Sequence, residues 1–383
     1  MSYLDNIRRV TPYTPGEQPK DTNIIKLNTN ECPYYPSLMV RDRIKNLDLN
    51  KFRLYPDPAA SDLVKAWADY VGLSEEEVFV GVGSDDVLSM CFLTYFNSDK
   101  PVLFPDITYS FYDVWCDVYR IPYKTVPLDE NFCIRVEDYT NGVMSTATTG
   151  MNRVMSTDSN GTNVAANSTN SAPGGIVIAN PNAPTGAQLP LSAIEEIIKA
   201  NQDCVVIIDE AYVDFGAISA IPLIRKYPNV VVVQTFSKSR AMAGLRIGYA
   251  MGSKELIKAL NDVKYSVNSY TMNYPSIALG VAAIEDDEYF KAVTQKIINT
   301  REEAKKRLSE LGFSFADSAA NFIFAKHESV SGDLIFNELK KRGIYVRHWN
   351  KERISEYLRI TIGTDDQMES LYKALEEILE ENK

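Results

Sequence analysis

Four consecutive valines, Val230 to Val233, constrain the possible folds of this chain more than any other stretch. A run of β-branched residues with few polar neighbours predicts a strand that is buried on both faces, as the strands of parallel sheets are. Similar apolar runs at 175–179 and 205–208 are separated by an amphipathic stretch of helix length at 191–200. Strands that alternate with such helices indicate right-handed βαβ units, so we predict an α/β fold with a mostly parallel central sheet.

The pattern changes near residue 280, where alternating strands and helices give way to a charged helical stretch, short strands and a closing amphipathic helix. A chain of 383 residues with 45% apolar residues can bury one large and one smaller core. We therefore predict an N-terminal arm at 1–35, a large domain at 36–279 and a small α+β domain at 280–383. The segment 140–174 is rich in Ser, Thr, Asn and Gly, which predicts a flexible surface insertion.

Composition excludes several classes of function. A formal net charge of -11 argues against nucleic acid or an anionic membrane as the partner, because both would require a clustered basic surface. Two histidines and five scattered cysteines without CxxC spacing predict no metal site and reduced thiols. The first ten residues lack the apolar core of a signal peptide, and no apolar run approaches the roughly 20 residues of a membrane span. We therefore expect a cytoplasmic protein that acts on small molecules.

Polar residues begin where the valine strand ends, at Ser237 and Lys238. In an open parallel sheet, the loops beyond the carboxyl ends of the strands line the ligand crevice. A desolvated lysine there loses its proton more readily and can attack a carbonyl, as a Schiff base with pyridoxal phosphate requires. Arg246, eight residues later, offers a guanidinium group that is suited to a phosphate.

Other polar groups are predicted at the same edge of the sheet. Ser84 and Asp85 follow a glycine turn and open an apolar helix, which makes an anion site from backbone N–H groups. Tyr109 follows the next strand and could stack on a flat heteroaromatic ring. Asp209 ends an apolar strand and requires a cation or a hydrogen-bond donor as its partner, and a protonated pyridine nitrogen would be one. Each motif alone also has a structural interpretation: a solvated Ser-Lys pair, an acidic helix cap, or an aromatic ring of the core.

Taken together, these motifs resemble the aspartate-aminotransferase-like family, fold type I of the pyridoxal-phosphate enzymes. Their order carries the resemblance: GVGSDD, a Tyr past the next strand, NPNAPTG, DEAY, FSK, and an Arg eight residues after the Lys. The resemblance runs from the N-terminal arm to the last helix and is interrupted only by the insertion. Within the family, LNTNECP, RLYPDP and LRITIGT are similar to the histidinol-phosphate aminotransferases.

The resemblance implies roles for individual residues. Lys238 would hold the cofactor and move the proton at the substrate's Cα, while Asp209 would keep the pyridine nitrogen protonated. Tyr212 would donate to the phenolic oxygen of the ring. The resemblance also implies that Tyr109 contacts the ring and that the cofactor phosphate is contacted by Ser84, Asp85, Ser237 and Arg246. Tyr55 would contact the phosphate that the second subunit of a homodimer binds. The substrate would be contacted by Asn30, Glu31, Arg347 and Arg359.

One position departs from the family's pattern. Many relatives carry Asn directly before Pro-Thr-Gly, where its amide meets the phenolic oxygen of the cofactor, and here that position is Ala183. We expect the adjacent Asn182 to take over this contact.

The resemblance implies a pyridoxal-phosphate-dependent aminotransferase of histidine biosynthesis. Its reaction would convert L-histidinol phosphate and 2-oxoglutarate to imidazole-acetol phosphate and L-glutamate. An aromatic or broad-specificity aminotransferase and a threonine-phosphate decarboxylase are alternatives, because anion-binding arginines serve all of them. A pyridoxal-phosphate-binding regulator would require an added DNA-binding module, and a Rossmann-type dehydrogenase would require a glycine fingerprint that GVGSDD lacks.

Overall fold

The computed structural model describes residues 2–21, 23–141 and 172–382. Most of the predicted insertion at 140–174 therefore lies outside the described residues. The strands are β1 (Ile25–Lys26), β2 (Val78–Gly81), β3 (Val102–Pro105), β4 (Tyr123–Val126), β5 (Gly175–Ala179), β6 (Val205–Asp209), β7 (Val230–Thr235), β8 (Gly248–Gly252), β9 (Phe313–Phe315), β10 (Phe322–His327), β11 (Ile344–Tyr345), β12 (Arg347–His348) and β13 (Leu358–Thr361). The α-helices are α1 (Leu38–Lys45), α2 (Ser61–Val71), α3 (Ser84–Tyr95), α4 (Tyr112–Tyr119), α5 (Glu137–Thr140), α6 (Leu191–Ala200), α7 (Ile221–Ile224), α8 (Lys254–Val267), α9 (Tyr274–Glu285), α10 (Asp287–Glu310), α11 (Gly332–Lys341) and α12 (Asp365–Glu381).

A seven-stranded sheet with the order β2-β8-β7-β6-β5-β3-β4 forms the centre of the molecule. The strands from β7 to β4 pair in parallel, while β8 is antiparallel to both of its neighbours. The prediction of an α/β fold with a mostly parallel sheet is therefore confirmed. Because side chains alternate along a strand, Val230 and Val232 pack towards α2 and α6 on one face, and Val231 and Val233 pack towards α3 and α4 on the other. This two-sided burial is the reason for the valine run.

A smaller antiparallel sheet, with the order β12-β13-β10-β9, packs with α10, α11 and α12 around a second core. The predicted apolar stripe of the closing helix is buried there, through Met368, Leu371, Leu375 and Ile378. The N-terminal arm joins this part of the molecule, because β1 pairs in parallel with β11.

The charged helical stretch that was predicted to begin near residue 280 consists of two helices, α9 and α10, with a break at Asp286 between them. Apolar residues of α9 pack in the core of the large sheet, whereas α10 belongs to the second core. The predicted domain boundary between residues 279 and 280 falls inside α9. We propose that the boundary lies at Asp286. Across the described residues, no helix combines the length and apolar composition that crossing a bilayer requires.

Two glycines allow β8 to pass directly beside the start of α3. A Cβ at Gly248 would lie 2.3 Å from the carbonyl carbon of Gly83 and the backbone nitrogen of Ser84. Gly83 itself adopts a φ of 87°, which favours glycine. The close approach of these two backbones fixes where the amino end of α3 lies relative to the sheet.

Gly248→Ala should therefore lower the free energy of unfolding by about 1–3 kcal/mol, because the added methyl group meets backbone atoms that cannot rotate away. Urea denaturation measures this loss. The matched control is Gly244→Ala, since an added Cβ at Gly244 meets nothing within 4 Å. Equal effects of the two substitutions would contradict the proposed role of the close contact.

Candidate functional site

Two adjoining cavities open at the carboxyl ends of the parallel strands. The smaller has a volume of about 170 Å³ and the larger about 590 Å³. The predicted residues in the smaller cavity are Glu31, Ser84, Asp85, Tyr109, Asp209, Tyr212, Ser237, Lys238 and Arg246, while Asn30, Arg347 and Arg359 line the larger one. Both cavities are lined by Thr29, Tyr109, Ala183, Tyr212 and Lys238.

Lys238 lies at the junction of the two cavities, three residues beyond the end of β7. Its Nζ donates to the backbone carbonyl oxygen of Thr29 at 3.3 Å and lies 5.7 Å from the centroid of the Tyr212 ring. The side chain is half-buried. The amine can therefore meet molecules in either cavity.

A cradle for an anion lies at the amino end of α3. The N-cap residue is Gly83, which has no side chain to accept from the first-turn N–H groups that lack intrahelical partners. Arg246 lies beside this turn, with its Nη2 3.2 Å from Asp85 Oδ2 and its Nη1 3.4 Å from Ser237 Oγ. A Cβ at Gly83 would lie 2.4 Å from Arg246 Nη2, so only glycine leaves room for the guanidinium group. Helix amides and a guanidinium group together favour a phosphate.

Asp209 presents a buried carboxylate to the smaller cavity from the end of β6. It is 4% exposed, and its Oδ2 accepts from Tyr112 Oη at 2.7 Å while its Oδ1 accepts from the N–H of Ala211 at 3.2 Å. Burial raises the pKa of Asp209 to about 6, although both hydrogen bonds oppose the shift. A cation next to this carboxylate would be strongly stabilised.

Tyr112 contacts the predicted site residue Asp209, and the sequence analysis did not name it. Its ring is fully buried in the core. Its hydroxyl, however, is the direct hydrogen-bond donor to Asp209. A signal was present, because Tyr112 follows Tyr109 by about one helical turn and a buried tyrosine hydroxyl usually has a partner.

The structure contradicts the expectation for Asn182. Its amide donates to the backbone oxygen of Ile107 at 2.9 Å and to Thr185 Oγ1 at 3.1 Å, and its Oδ1 accepts from Thr108 at 2.8 Å. Asn182 lines neither cavity, whereas the neighbouring Ala183 lines both. All polar atoms of the Asn182 side chain hold the turn together, so none is available to a ligand.

The segment that follows β1 lines both cavities, with Glu31 in the smaller and Asn30 in the larger one. Asn30 is 1% exposed and donates through Nδ2 to Tyr212 Oη at 2.9 Å. Burial raises the pKa of Glu31, but hydrogen bonds from Lys26 and Thr29 outweigh this and hold the pKa below its ordinary value. Glu31 is therefore a paired carboxylate at the edge of the smaller cavity.

Arg359 is a half-buried cation in the wall of the larger cavity. Its Nη2 donates to the backbone oxygen of Asn28 at 2.9 Å, but its buried Nε has no hydrogen-bond partner. In the described part of the chain, neither Arg359 nor the nearby Arg347 forms an ion pair, and both face the larger cavity. Burial lowers the pKa of Arg359, and the charge of Arg347 lowers it further. Two like charges in one wall make this cavity an anion site.

Further residues of the larger cavity were not predicted from the sequence. Tyr13 of the N-terminal arm stacks on Phe111 with 4.1 Å between ring centroids, and it covers the cavity. The ring of Trp349 lies 5.3 Å from the guanidinium carbons of both Arg347 and Arg359. The contact between Tyr13 and Phe111 joins segments that are distant in sequence, and no local pattern indicates it.

Tyr55, which was predicted to contact a cofactor phosphate, lies away from both cavities of its own chain. It is 83% exposed and lines neither cavity. Its ring stacks on Tyr270 at a centroid distance of 4.6 Å.

Known proteins share both the sequence and the architecture of this chain. Residues 22–375 match a sequence model of the family described as Aminotransferase class I and II. A histidinol-phosphate aminotransferase from Lactococcus lactis subsp. cremoris is 47% identical over 379 residues, which are 99% of this chain and 98% of the relative. The histidinol-phosphate aminotransferase of Aromatoleum aromaticum is 48% identical over 374 residues, 97% of this chain and 98% of the relative.

Solved structures share the fold at lower identity. Histidinol-phosphate aminotransferase from Sinorhizobium meliloti in complex with pyridoxal-5'-phosphate has a TM-score of 0.79 at 23% identity, covering 94% of this chain and 92% of its own. L-threonine-O-3-phosphate decarboxylase from Porphyromonas gingivalis has a TM-score of 0.72 at 20% identity, covering 93% of this chain and all of its own. The predicted fold class is confirmed by these neighbours, which do not by themselves separate amino transfer from decarboxylation.

Tyr112→Phe should raise the pKa of Asp209 from about 6 by roughly one unit, because it removes a donor to the charged form. The folded pKa already exceeds the ordinary value of 3.8, so the carboxyl group costs stability as the pH rises from 3.8 through the folded pKa. In the variant, the free energy of unfolding should continue to fall up to a higher pH than in the wild type. Urea unfolding of the cofactor-free protein between about pH 4 and about pH 8 measures the difference.

Tyr139→Phe is the matched control. Tyr139 is also buried, but among the described residues its hydroxyl has no hydrogen-bond partner. This variant should keep the pH dependence of the wild type. If Tyr112→Phe keeps it too, the hydroxyl of Tyr112 does not tune Asp209.

Proposed function

This chain belongs to the class I and II aminotransferases, and from that premise we propose that it converts L-histidinol phosphate and 2-oxoglutarate to imidazole-acetol phosphate and L-glutamate. Relatives that carry the name histidinol-phosphate aminotransferase are 47–48% identical over nearly the whole chain. The observation that carries the proposal is the half-buried Arg359 beside Arg347 in the wall of the larger cavity, because the buried Nε of Arg359 has no hydrogen-bond partner among the described residues. Both amino donors of this reaction bring an anion that such a wall requires.

The residues of the smaller cavity fit pyridoxal phosphate. The glycine turn before α3, with Ser84, Ser237 and Arg246, would hold the phosphate, and Asp209 would meet the pyridine nitrogen. A buried carboxylate at one end of the cavity and a phosphate cradle at the other match the two charged ends of this molecule. When bound, pyridoxal phosphate supplies an electron sink for the bond that is broken at the substrate's Cα.

Each of these residues has a distinct chemical task. Asp209, buried and hydrogen-bonded by Tyr112, stabilises a proton on the pyridine nitrogen. Lys238 lies where the two cavities meet. Its amine would therefore take the proton from the substrate's Cα and donate the same proton in the next step. Tyr109 donates to Asp85 at 2.7 Å, which fixes its ring in the wall that both cavities share.

The two arginines define the substrate class. L-Glutamate carries carboxylates and L-histidinol phosphate carries a phosphate in place of an α-carboxylate. A guanidinium group can bind either anion through two parallel hydrogen bonds. Because the half-buried Arg359 forms no ion pair with the described residues, an anionic substrate would compensate the desolvation of its charge, and a neutral substrate would not.

We include a homodimer in the proposal. Large apolar side chains are exposed on α1, on the turn around Tyr55 and after α8, a surface that needs a partner. A second copy of the chain fits it best, because Tyr55, to which the resemblance gives a contact with a cofactor phosphate, lines neither cavity of its own chain. The exposed side chains are Tyr35, Leu38, Leu49, Leu54, Tyr55, Val267 and Tyr270. All five cysteines are free, which favours the reducing cytoplasm.

The homodimer predicts that Leu49→Asp shifts the mass measured by light scattering towards the monomer, because a charge is buried at the interface. Ile218→Asp is the control, since Ile218 is 66% exposed elsewhere on the chain and should leave the mass unchanged. A wild-type protein that is monomeric at micromolar concentration would refute this part of the proposal.

Absorbance spectroscopy of the purified protein with pyridoxal phosphate tests the reaction itself. A visible band should bleach on addition of L-glutamate and, after recovery with 2-oxoglutarate, on addition of L-histidinol phosphate. L-Histidinol, which lacks the phosphate, is the matched control and should require at least about a tenfold higher concentration, because the bond to Arg359 is lost.

Other outcomes of this experiment discriminate the alternatives. Bleaching by L-phenylalanine as readily as by L-histidinol phosphate would indicate an aromatic aminotransferase. Release of CO2 from L-threonine phosphate would indicate a decarboxylase. The absence of a visible band would refute the cofactor assignment.

A further inference from the structure

The amide of Asn30 is directed at Tyr212 and not at the open part of the larger cavity. Asn30 is 1% exposed, and its Nδ2 donates to Tyr212 Oη at 2.9 Å. The sequence analysis expected a substrate contact at this position. The donated hydrogen bond instead makes Asn30 a neighbour of a residue that lines both cavities.

The surrounding residues fix Asn30 in one orientation. Its backbone N–H donates to Thr361 Oγ1 at 3.0 Å, and that hydroxyl donates to Asn30 Oδ1 at 3.0 Å. Its carbonyl oxygen accepts from Asn321 Nδ2, also at 3.0 Å. In this orientation Oδ1 lies on the side of Thr361 and Nδ2 lies on the side of Tyr212. The φ angle of 56° is one that Asn tolerates better than most side chains.

A hydrogen bond accepted by Tyr212 determines where its own hydrogen can go. A phenolic hydroxyl has one hydrogen and can both donate and accept. Because Nδ2 of Asn30 has no lone pair to offer, Tyr212 cannot donate to it and must donate elsewhere. The other nearby position that could supply an amide is Ala183, which lines both cavities but carries no polar side-chain atom.

We propose that Asn30 is a positioning residue that directs the hydroxyl hydrogen of Tyr212 towards the phenolic oxygen of pyridoxal phosphate in the smaller cavity. The inference rests on the proposed function and adds to it the source of that orientation. Asn30 comes from the N-terminal arm and acts through Tyr212, so the phenolic oxygen would keep an oriented donor although Ala183 carries no amide.

This role has a spectroscopic consequence. A donor to the phenolic oxygen withdraws negative charge from it, and less negative charge there disfavours a proton on the nitrogen that joins Lys238 to the cofactor. The visible band of the bound cofactor changes with pH as that proton is lost. Weakening the donor therefore moves the midpoint of this change to higher pH.

The test compares this midpoint in the loaded wild type and in Asn30→Gly, Asn30→Asp and Tyr212→Phe. Glycine removes the amide and accepts the left-handed backbone without strain. Asn30→Gly should raise the midpoint by about half a pH unit, and Tyr212→Phe should raise it further. Asn30→Asp keeps the shape, but its carboxylate accepts from Tyr212 and turns the hydrogen away, so the midpoint should rise at least as far as in Asn30→Gly.

Asn201→Gly is the control for the loss of a buried asparagine. Asn201 donates to the backbone oxygens of Tyr139 and Ile197 at the amino-end edge of the large sheet, away from both cavities. It should lower stability and leave the midpoint unchanged.

The double variant Asn30→Gly/Tyr212→Phe separates an action through Tyr212 from a direct one. If Asn30 acts through Tyr212, the double variant has the midpoint of Tyr212→Phe alone. A further shift in the double variant overturns the inference, and so does a wild-type midpoint in Asn30→Gly. Either result leaves the proposed function intact, whereas a wild type without a visible band overturns both.

Discussion

Four successive backbone carbonyls, from Leu27 to Asn30, hold the candidate site together. They accept in turn from the N–H of Thr361 at 3.0 Å, Arg359 Nη2 at 2.9 Å, Lys238 Nζ at 3.3 Å and Asn321 Nδ2 at 3.0 Å. Lys238 follows β7 of the large sheet, Asn321 directly precedes β10 of the small sheet, and Arg359 and Thr361 lie in β13. The segment after β1 thus fixes the lysine and the arginine relative to each other, although the two side chains come from segments of different sheets.

Charge is distributed along the joined cavities in a way that matches the proposed ligands. Asp209 is a buried carboxylate whose pKa is raised to about 6, and it stabilises a cation at the floor of the smaller cavity. Arg359 is a half-buried guanidinium group that forms no ion pair with the described residues, and it favours an anion in the larger cavity. Lys238 lines both cavities. A charged group that has lost part of its water is costly without its ligand, so stability that the folded chain gives up here is regained when cofactor and substrate bind.

Sequence patterns predicted the features that are local and failed for those that depend on side-chain direction. The helix at 191–200 has the predicted bounds because its apolar spacing is complete within one element. Lys238 and Asp209 follow buried strands, and a parallel sheet brings such positions to one edge whatever the loops do. The prediction for Asn182 was wrong because adjacent side chains in a turn point to opposite sides, and Ala183 is the one that faces the cavities. The partners of Tyr112 and Asn30 lie 97 and 182 residues away, beyond the reach of any local pattern.

The central claim is that the amine at the junction of the two cavities carries the cofactor. Borohydride reduction of the protein loaded with pyridoxal phosphate, followed by proteolysis and mass spectrometry, tests it directly. We expect one pyridoxyl group per chain, on the peptide that contains Lys238, and no pyridoxyl group on the Lys238→Ala variant. A label on another lysine, or equal labelling of Lys238→Ala, would contradict it.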